Sequence, residues 1–156
     1  MRKIILAGTH AGALLVGFAL GIYLLPILIE PETPNIAEFE ATQLSGPAFE
    51  ARFERDREDS DLFHWGEGVI KMYDDTIVFE GEMAPGPDYR LYFTPEYVET
   101  EDAFWRIKEQ SVQAGSIKTF DGFVIDNVSN INPSDYAAVV VWCERFSQFI
   151  TSAKLP

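Results

Sequence analysis

The chain has 156 residues, 47% of them hydrophobic and 13% aromatic, enough for one packed domain with an appendage. A formal net charge of −13 repels phosphate backbones and argues against nucleic acid as a partner. One cysteine excludes an intramolecular disulfide, a C-x-x-C redox pair, a cysteine-rich zinc site and C-x-x-C-H haem attachment.

The first element is an uncharged run from Ile4 to Ile29, 26 residues long. As a helix it extends roughly 39 Å, enough to cross a hydrocarbon core of about 30 Å with tilt. A cleavable signal has a shorter apolar stretch and a small-x-small site, and "YLLPILIE" offers none, so the run reads as an uncleaved anchor. Arg2 and Lys3 precede it and Glu30 and Glu32 follow, which by the positive-inside tendency leaves a short tail in the cytosol and exports the rest. The exported part holds 10 basic against 25 acidic residues, a net charge of −15. Gly8-x-x-x-Gly12 and Gly17-x-x-x-Gly21 face opposite sides of the helix, so they make no continuous dimer seam, and His10 can reach the interface.

"EPETP", Glu30 to Pro34, is a short stiff linker. Ile36, Phe39 and Leu44, then Phe49 and Phe53, recur at helical intervals and predict short helices in both segments. "ERDREDSD", Glu54 to Asp61, reads as a solvated loop; it lacks the sharp-turn glycine of a calcium loop, and no metal site is expected.

From Leu62 the texture is strands and turns. "GVIKMYDDTIVFEGEM" predicts a hairpin turning at Asp74-Asp75, with Ile77 and Phe79 on one face and Val78 and Glu80 on the other. Pro85-Gly86-Pro87-Asp88 predicts a turn, with the Asp88 side chain accepting backbone N–H bonds, before a strand from Tyr89 to Phe93. "VETEDAFWRIKEQ" fits a loop or a short helix. The longest apolar strand is "AVVVWCERF": Val139, Val141, Cys143 and Arg145 share one face, and Ala138, Val140, Trp142, Glu144 and Phe146 the other. A strand apolar on both faces lies inside its fold.

Short strands with turns every 8–12 residues give an all-β class, a β-sandwich or barrel-like domain after a single N-terminal transmembrane helix. The expected organisation is a cytosolic tail at 1–3, an anchor at 4–29, a linker at 30–61 and the β domain at 62–156.

Four blocks stand in order: "HWGEGVI", "GPDYRLYF", "AGSIKTFDGFVI" and "DYAAVVVWCERFSQFITSAKL". In these, from His64 to Leu155, the chain resembles the DM-thirteen domain, an extracytoplasmic β-rich module often found beside DOMON cytochrome-type domains. The sequence departs from that pattern after Gly122, where "FVIDNVSNIN" stands in place of a Gln and an aromatic residue. The resemblance implies electron transfer centred on the cysteine of the last block, Cys143, as a bare thiol or as a ligand to a prosthetic group such as haem. No DOMON domain accompanies it, so the redox partner is expected to be a separate protein or membrane complex.

Arg145, two residues on along the strand, is the candidate that would favour the thiolate. His64, the one histidine beyond the anchor, is the candidate second haem ligand, with Trp142 a candidate for the wall of a cofactor site. The competing expectation treats Cys143 as a small buried hydrophobe, in a membrane-tethered β-sandwich that binds or scaffolds. No catalytic triad, phosphate loop or paired-carboxylate motif stands out, so the chain is not expected to be an enzyme by itself.

Overall fold

A computed structural model describes residues 1–156. The apolar run forms α1, Arg2–Leu28, with no buried residue and a length and composition sufficient to cross a membrane. A short α2, Ile36–Thr42, follows, capped by the Asn35 side chain accepting from the Glu38 amide.

Eight strands then build two antiparallel four-stranded sheets packed face to face. The first has the order β1 (Phe49–Phe53), β2 (Gly66–Met72), β3 (Thr76–Met83), β6 (Phe123–Asp126). The second has the order β5 (Val112–Ile117), β4 (Tyr89–Thr94), β7 (Ala138–Cys143), β8 (Gln148–Lys154). The fold is a β-sandwich, as the spacing of strands and turns indicated.

Phe49–Phe53 is a strand where the sequence suggested a helix. A spacing of four residues suits both periods, and the intervening residues decide. Ala51 is buried with Phe49 and Phe53 while Glu50 and Arg52 are exposed, which is alternation of period two. The hairpin at Asp74-Asp75 forms as expected, joining β2 to β3 with Met72 opposite Ile77. The charge run after β1 is a loop, but Arg57 turns inward, bonding the Glu99 carboxylate at 3.0 Å and the Ser152 carbonyl at 3.1 Å.

The ambiguous segment is a helix, α3, Glu101–Ile107, extended by a 3₁₀ turn over Lys108–Gln110. Thr100 caps it by accepting from the Ala103 amide at 3.2 Å, and Glu101 and Asp102 place negative charge in its first turn.

These helices explain why strands are apolar on both faces. Between the sheets lie Phe53, Ile70, Ile77, Phe79, Leu91 and Val141, among others. Outside the second sheet, α3 covers Tyr92, Val140, Trp142 and Phe149 with Phe104 and Ile107. Outside the first, α2 sets Ile36 and Phe39 on Tyr73 and Val78. Glu40 fastens α2 through Lys71 at 2.8 Å and the Tyr73 hydroxyl at 3.1 Å.

Candidate functional site

The alternation of β7 sends Val139, Val141 and Cys143 into the core between the sheets and Val140 and Trp142 beneath α3. Cys143 is the last residue of its strand, opposite Tyr89 of β4 and Gln148 of β8. It therefore stands at one end of the sandwich, where the chain turns through Glu144–Ser147. Although Cys143 is only 2% exposed, it lines a cavity of about 250 Å³ together with Tyr89, His64, Phe63, Phe146 and Ile150.

The far wall of this cavity comes from α1. Ile22 and Tyr23 close it, and the Tyr23 ring meets Phe63 edge-on at 5.9 Å. Glu30, just past the helix, accepts a hydrogen bond of 2.7 Å from the Phe120 amide. The membrane-length helix is thus seated on the end of the sandwich that carries the thiol. A second cavity, about 510 Å³, shares Ile22, Pro87 and Phe146 with the first and runs along Phe18 and Leu25 of α1; Cys143 does not line it.

Tyr89 is another polar residue of the cavity. It is 2% exposed, its ring packs edge-on to Phe120 at 5.9 Å, and its hydroxyl has no hydrogen-bond partner in the protein. Gly86 is what lets the ring lie there, since a Cβ at that position would fall 2.2 Å from the Tyr89 ring. Burial pushes the Tyr89 phenol well above its usual range, with the neighbouring Cys143 adding to the effect.

Burial likewise pushes the Cys143 thiol up. The backbone amides of Phe146, Arg145 and Asp88 pull the other way and do not prevail. Arg145 lies not on the strand face but in the turn after it, exposed, beside the outer cavity. What Arg145 offers the sulfur is its backbone amide. The reason is that β7 ends at Cys143, where the Glu144 amide still donates to the Asp88 carbonyl at 2.9 Å before the chain turns away.

The structure brings His64 to the same cavity as Cys143. Its Nδ1 lies 3.0 Å from Asp61, whose other carboxylate oxygen accepts the Phe63 and His64 amides at 2.6 and 2.8 Å. Burial of Asp61 works against its charge, yet these bonds win and hold its carboxyl below the usual range. Trp142 is placed apart, on the other face of β7, its ring tilted against Phe104 at 4.8 Å and its indole N–H unpartnered. Asp88 does not cap its turn with its side chain; the carboxylate pairs with Arg90 at 2.7 Å.

A haem on Cys143 does not fit this site. An apolar cavity of about 150 Å³ accommodates a single benzene ring. A cavity of about 250 Å³ therefore takes one substituted ring, far short of a porphyrin. Burial also keeps the sulfur protonated where ligation needs the thiolate.

Two of the residues that line this cavity, Cys143 and His64, were singled out from the sequence; Gly86 was read only as part of a turn, and Tyr89, Phe63 and the α1 wall were not connected with the thiol. The signal for two of these was present in "PGPDYR", where a glycine three residues before a strand-opening tyrosine leaves room for its ring.

Comparison with curated proteins and with solved structures gives no match. A model of the electron-transfer DM13 domain matches residues 57–155, well over half of the chain and all of β2 to β8. With the cysteine-bearing strand, the two-sheet sandwich and the matched span in agreement, the chain belongs to the electron-transfer DM13 domain family.

Proposed function

We propose that this chain is a membrane-anchored, extracytoplasmic electron-transfer accessory domain that works through the single thiol of Cys143. One observation carries the reading: Cys143, at the end of β7, lines a cavity. Family membership supports electron transfer in general, and α1 is long and apolar enough to be the anchor. Arg2 and Lys3 before α1 favour a cytosolic N-terminus, leaving the sandwich on the outer face beside the lipid bilayer. There a free thiol meets an oxidising environment.

The chemistry open to one thiol is exchange with a partner's disulfide. The Cys143 thiolate attacks one partner sulfur, a mixed disulfide forms, the partner's S–S bond breaks, and the proton lost by Cys143 goes to the departing thiolate. A dithiol of a second redox protein then attacks the Cys143 sulfur, releasing the partner as its dithiol, and the donor's other thiol displaces Cys143 as the donor's own disulfide closes, so one electron pair passes from the dithiol to the partner's disulfide. Cys143 thus acts with a separate redox protein or membrane complex.

The test is to incubate the native full chain with excess hydroxyethyl disulfide and measure its mass. The expected product carries one mixed disulfide at Cys143, reversed by reductant and absent from Cys143→Ser. A native chain that gains no mass while the unfolded chain does would overturn the reading.

A further inference from the structure

Two cavities meet at the seat of α1, and they differ in kind. The inner one, about 250 Å³, has room for one substituted ring and is lined by Cys143 and Tyr89 among others. The outer one, about 510 Å³, is a sleeve between Phe18, Ile22 and Leu25 of α1 and the Pro87 and Phe146 side of the sandwich. They share Ile22, Pro87 and Phe146, so a molecule with its head in the inner cavity can run its tail along the outer one.

The walls say where such a molecule comes from. Phe18, Ile22 and Leu25 belong to the helix that is long and apolar enough to cross a membrane. With α1 as a retained anchor, a sleeve along it opens to hydrocarbon rather than to water. Phe146, 49% exposed at the tip of the β7–β8 turn, supplies apolar surface at the same place. Arg145 beside it lines the same sleeve and adds a cation there.

The Tyr89 hydroxyl says what the head must carry. The hydroxyl makes no hydrogen bond within the protein and keeps accessible surface. The ring lies against Gly86, where no Cβ fits. The hydroxyl stays protonated across the physiological range because burial disfavours the phenolate, so it can act as a donor. Its complement is an acceptor oxygen on an apolar ring. Together the requirements are one ring, a ring oxygen that accepts a hydrogen bond, a hydrocarbon tail and residence in the bilayer, at a site bordered by a thiol in an electron-transfer domain.

We propose that the inner cavity binds the head of a membrane-resident quinone, with the Tyr89 hydroxyl donating to a quinone carbonyl and the tail lying between α1 and Phe146. The inference deepens the proposed function and rests on the reading of α1 as a retained anchor. It requires no chemistry at the sulfur, and it can therefore be tested with the sulfur removed.

The experiment uses the full chain in lipid nanodiscs, carrying Cys143→Ser so that no quinone adduct can form. Quenching of intrinsic fluorescence is titrated with a benzoquinone bearing a ten-carbon chain, and in parallel with decylbenzene, which has ring and tail but no carbonyl. Saturable binding of the quinone is expected, with a Kd raised about three- to tenfold by Tyr89→Phe, the range of one net hydrogen bond. Ile22→Trp, which fills the cavity from α1 without touching the sandwich core, is expected to abolish it. Decylbenzene is expected to bind more weakly and to ignore Tyr89→Phe.

Equal affinity for the two compounds, or a quinone affinity unmoved by Tyr89→Phe, would leave only a groove for lipid tails and overturn the proposal. So would the absence of saturable quinone binding. Disulfide exchange at Cys143, measured on the wild-type chain, stands or falls separately.

Discussion

The thiol of Cys143 is held at the boundary between packing and chemistry. Burial raises its pKa against the pull of three backbone amides, so the reactive thiolate is a small fraction at neutral pH. Its modification rate is expected to climb with pH through and beyond the ordinary thiol range near 8.5, without levelling there; a plateau below that range would mean a thiolate stabilised in the fold. The sign for stability follows from the same shift. A group protonated more tightly in the folded chain contributes fully below its unfolded pKa, and that contribution is lost as pH rises toward the folded value. Alkaline unfolding of the wild type is therefore expected to run ahead of Cys143→Ser above about pH 8.5. Gly86 is the other decisive residue. Gly86→Ala drives a Cβ into the Tyr89 ring and is expected to cost about 1–3 kcal/mol in denaturant unfolding, with the ring pushed into the cavity. An unchanged midpoint would show that the ring has somewhere else to go.

At the level of elements, the two faces of β7 carry separate duties. One contributes Cys143 to the cavity, and the other anchors α3 through Trp142. Glu144, just past the strand, ties the turn to that outer layer through Lys108 at 2.7 Å and the Tyr92 hydroxyl. Burial disfavours its charge, but these two bonds outweigh it and hold the carboxyl below its usual range. Its contribution is present above the unfolded carboxylate pKa and fades as pH falls through the lower folded value. Glu144→Gln is expected to destabilise by about 1 kcal/mol at neutral pH and to flatten the acid limb of the stability profile; an unaltered acid limb would show that Glu144 is not the group responsible. In the first sheet Gly68 and Gly81 face each other across β2 and β3 at φ of 149° and 159°. A Cβ on Gly81 would lie 2.2 Å from the Glu67 carbonyl oxygen and 2.6 Å from the Gly68 Cα, so Gly81→Ala is expected to cost about 3 kcal/mol or more.

The β2–β3 hairpin and β7 were legible because alternation and turn residues are local signals. Cys143 was legible as the single thiol within a family motif. Phe49–Phe53 was not, because a four-residue spacing fits two periods and only the burial of Ala51 separates them. Tyr89 and Phe63 at the cavity were not either: they reach Cys143 through cross-strand pairing and loop packing, neither of which has a local signature. Arg145 was misplaced for a related reason, since a strand end set by the next turn is weakly encoded.

For the molecule as a whole, the notable arrangement is that the thiol end of the sandwich is the end on which α1 sits. α1 has no buried residue and contributes nothing to the core, so the sandwich does not depend on it for packing. A chain beginning at residue 31 is expected to fold with a Tm within a few degrees of the full protein, yet to expose Cys143 to faster modification because the wall made by Ile22 and Tyr23 is gone. Loss of folding on truncation would show that α1 is structural; an unchanged rate would show that it does not close the cavity. The surface charge acts in the same direction. With 25 acidic residues beyond α1, that part of the chain repels anionic molecules in water, and an uncharged ligand meets no such barrier.

The central claim, that the Cys143 sulfur borders a reachable cavity, is tested most directly by the rate at which N-ethylmaleimide modifies the native full chain at neutral pH, set against the rate of global unfolding. Modification is expected to reach one equivalent, slower than in the denatured chain but much faster than unfolding permits. Modification no faster than unfolding would mean a sulfur sealed within the core, and would contradict the account.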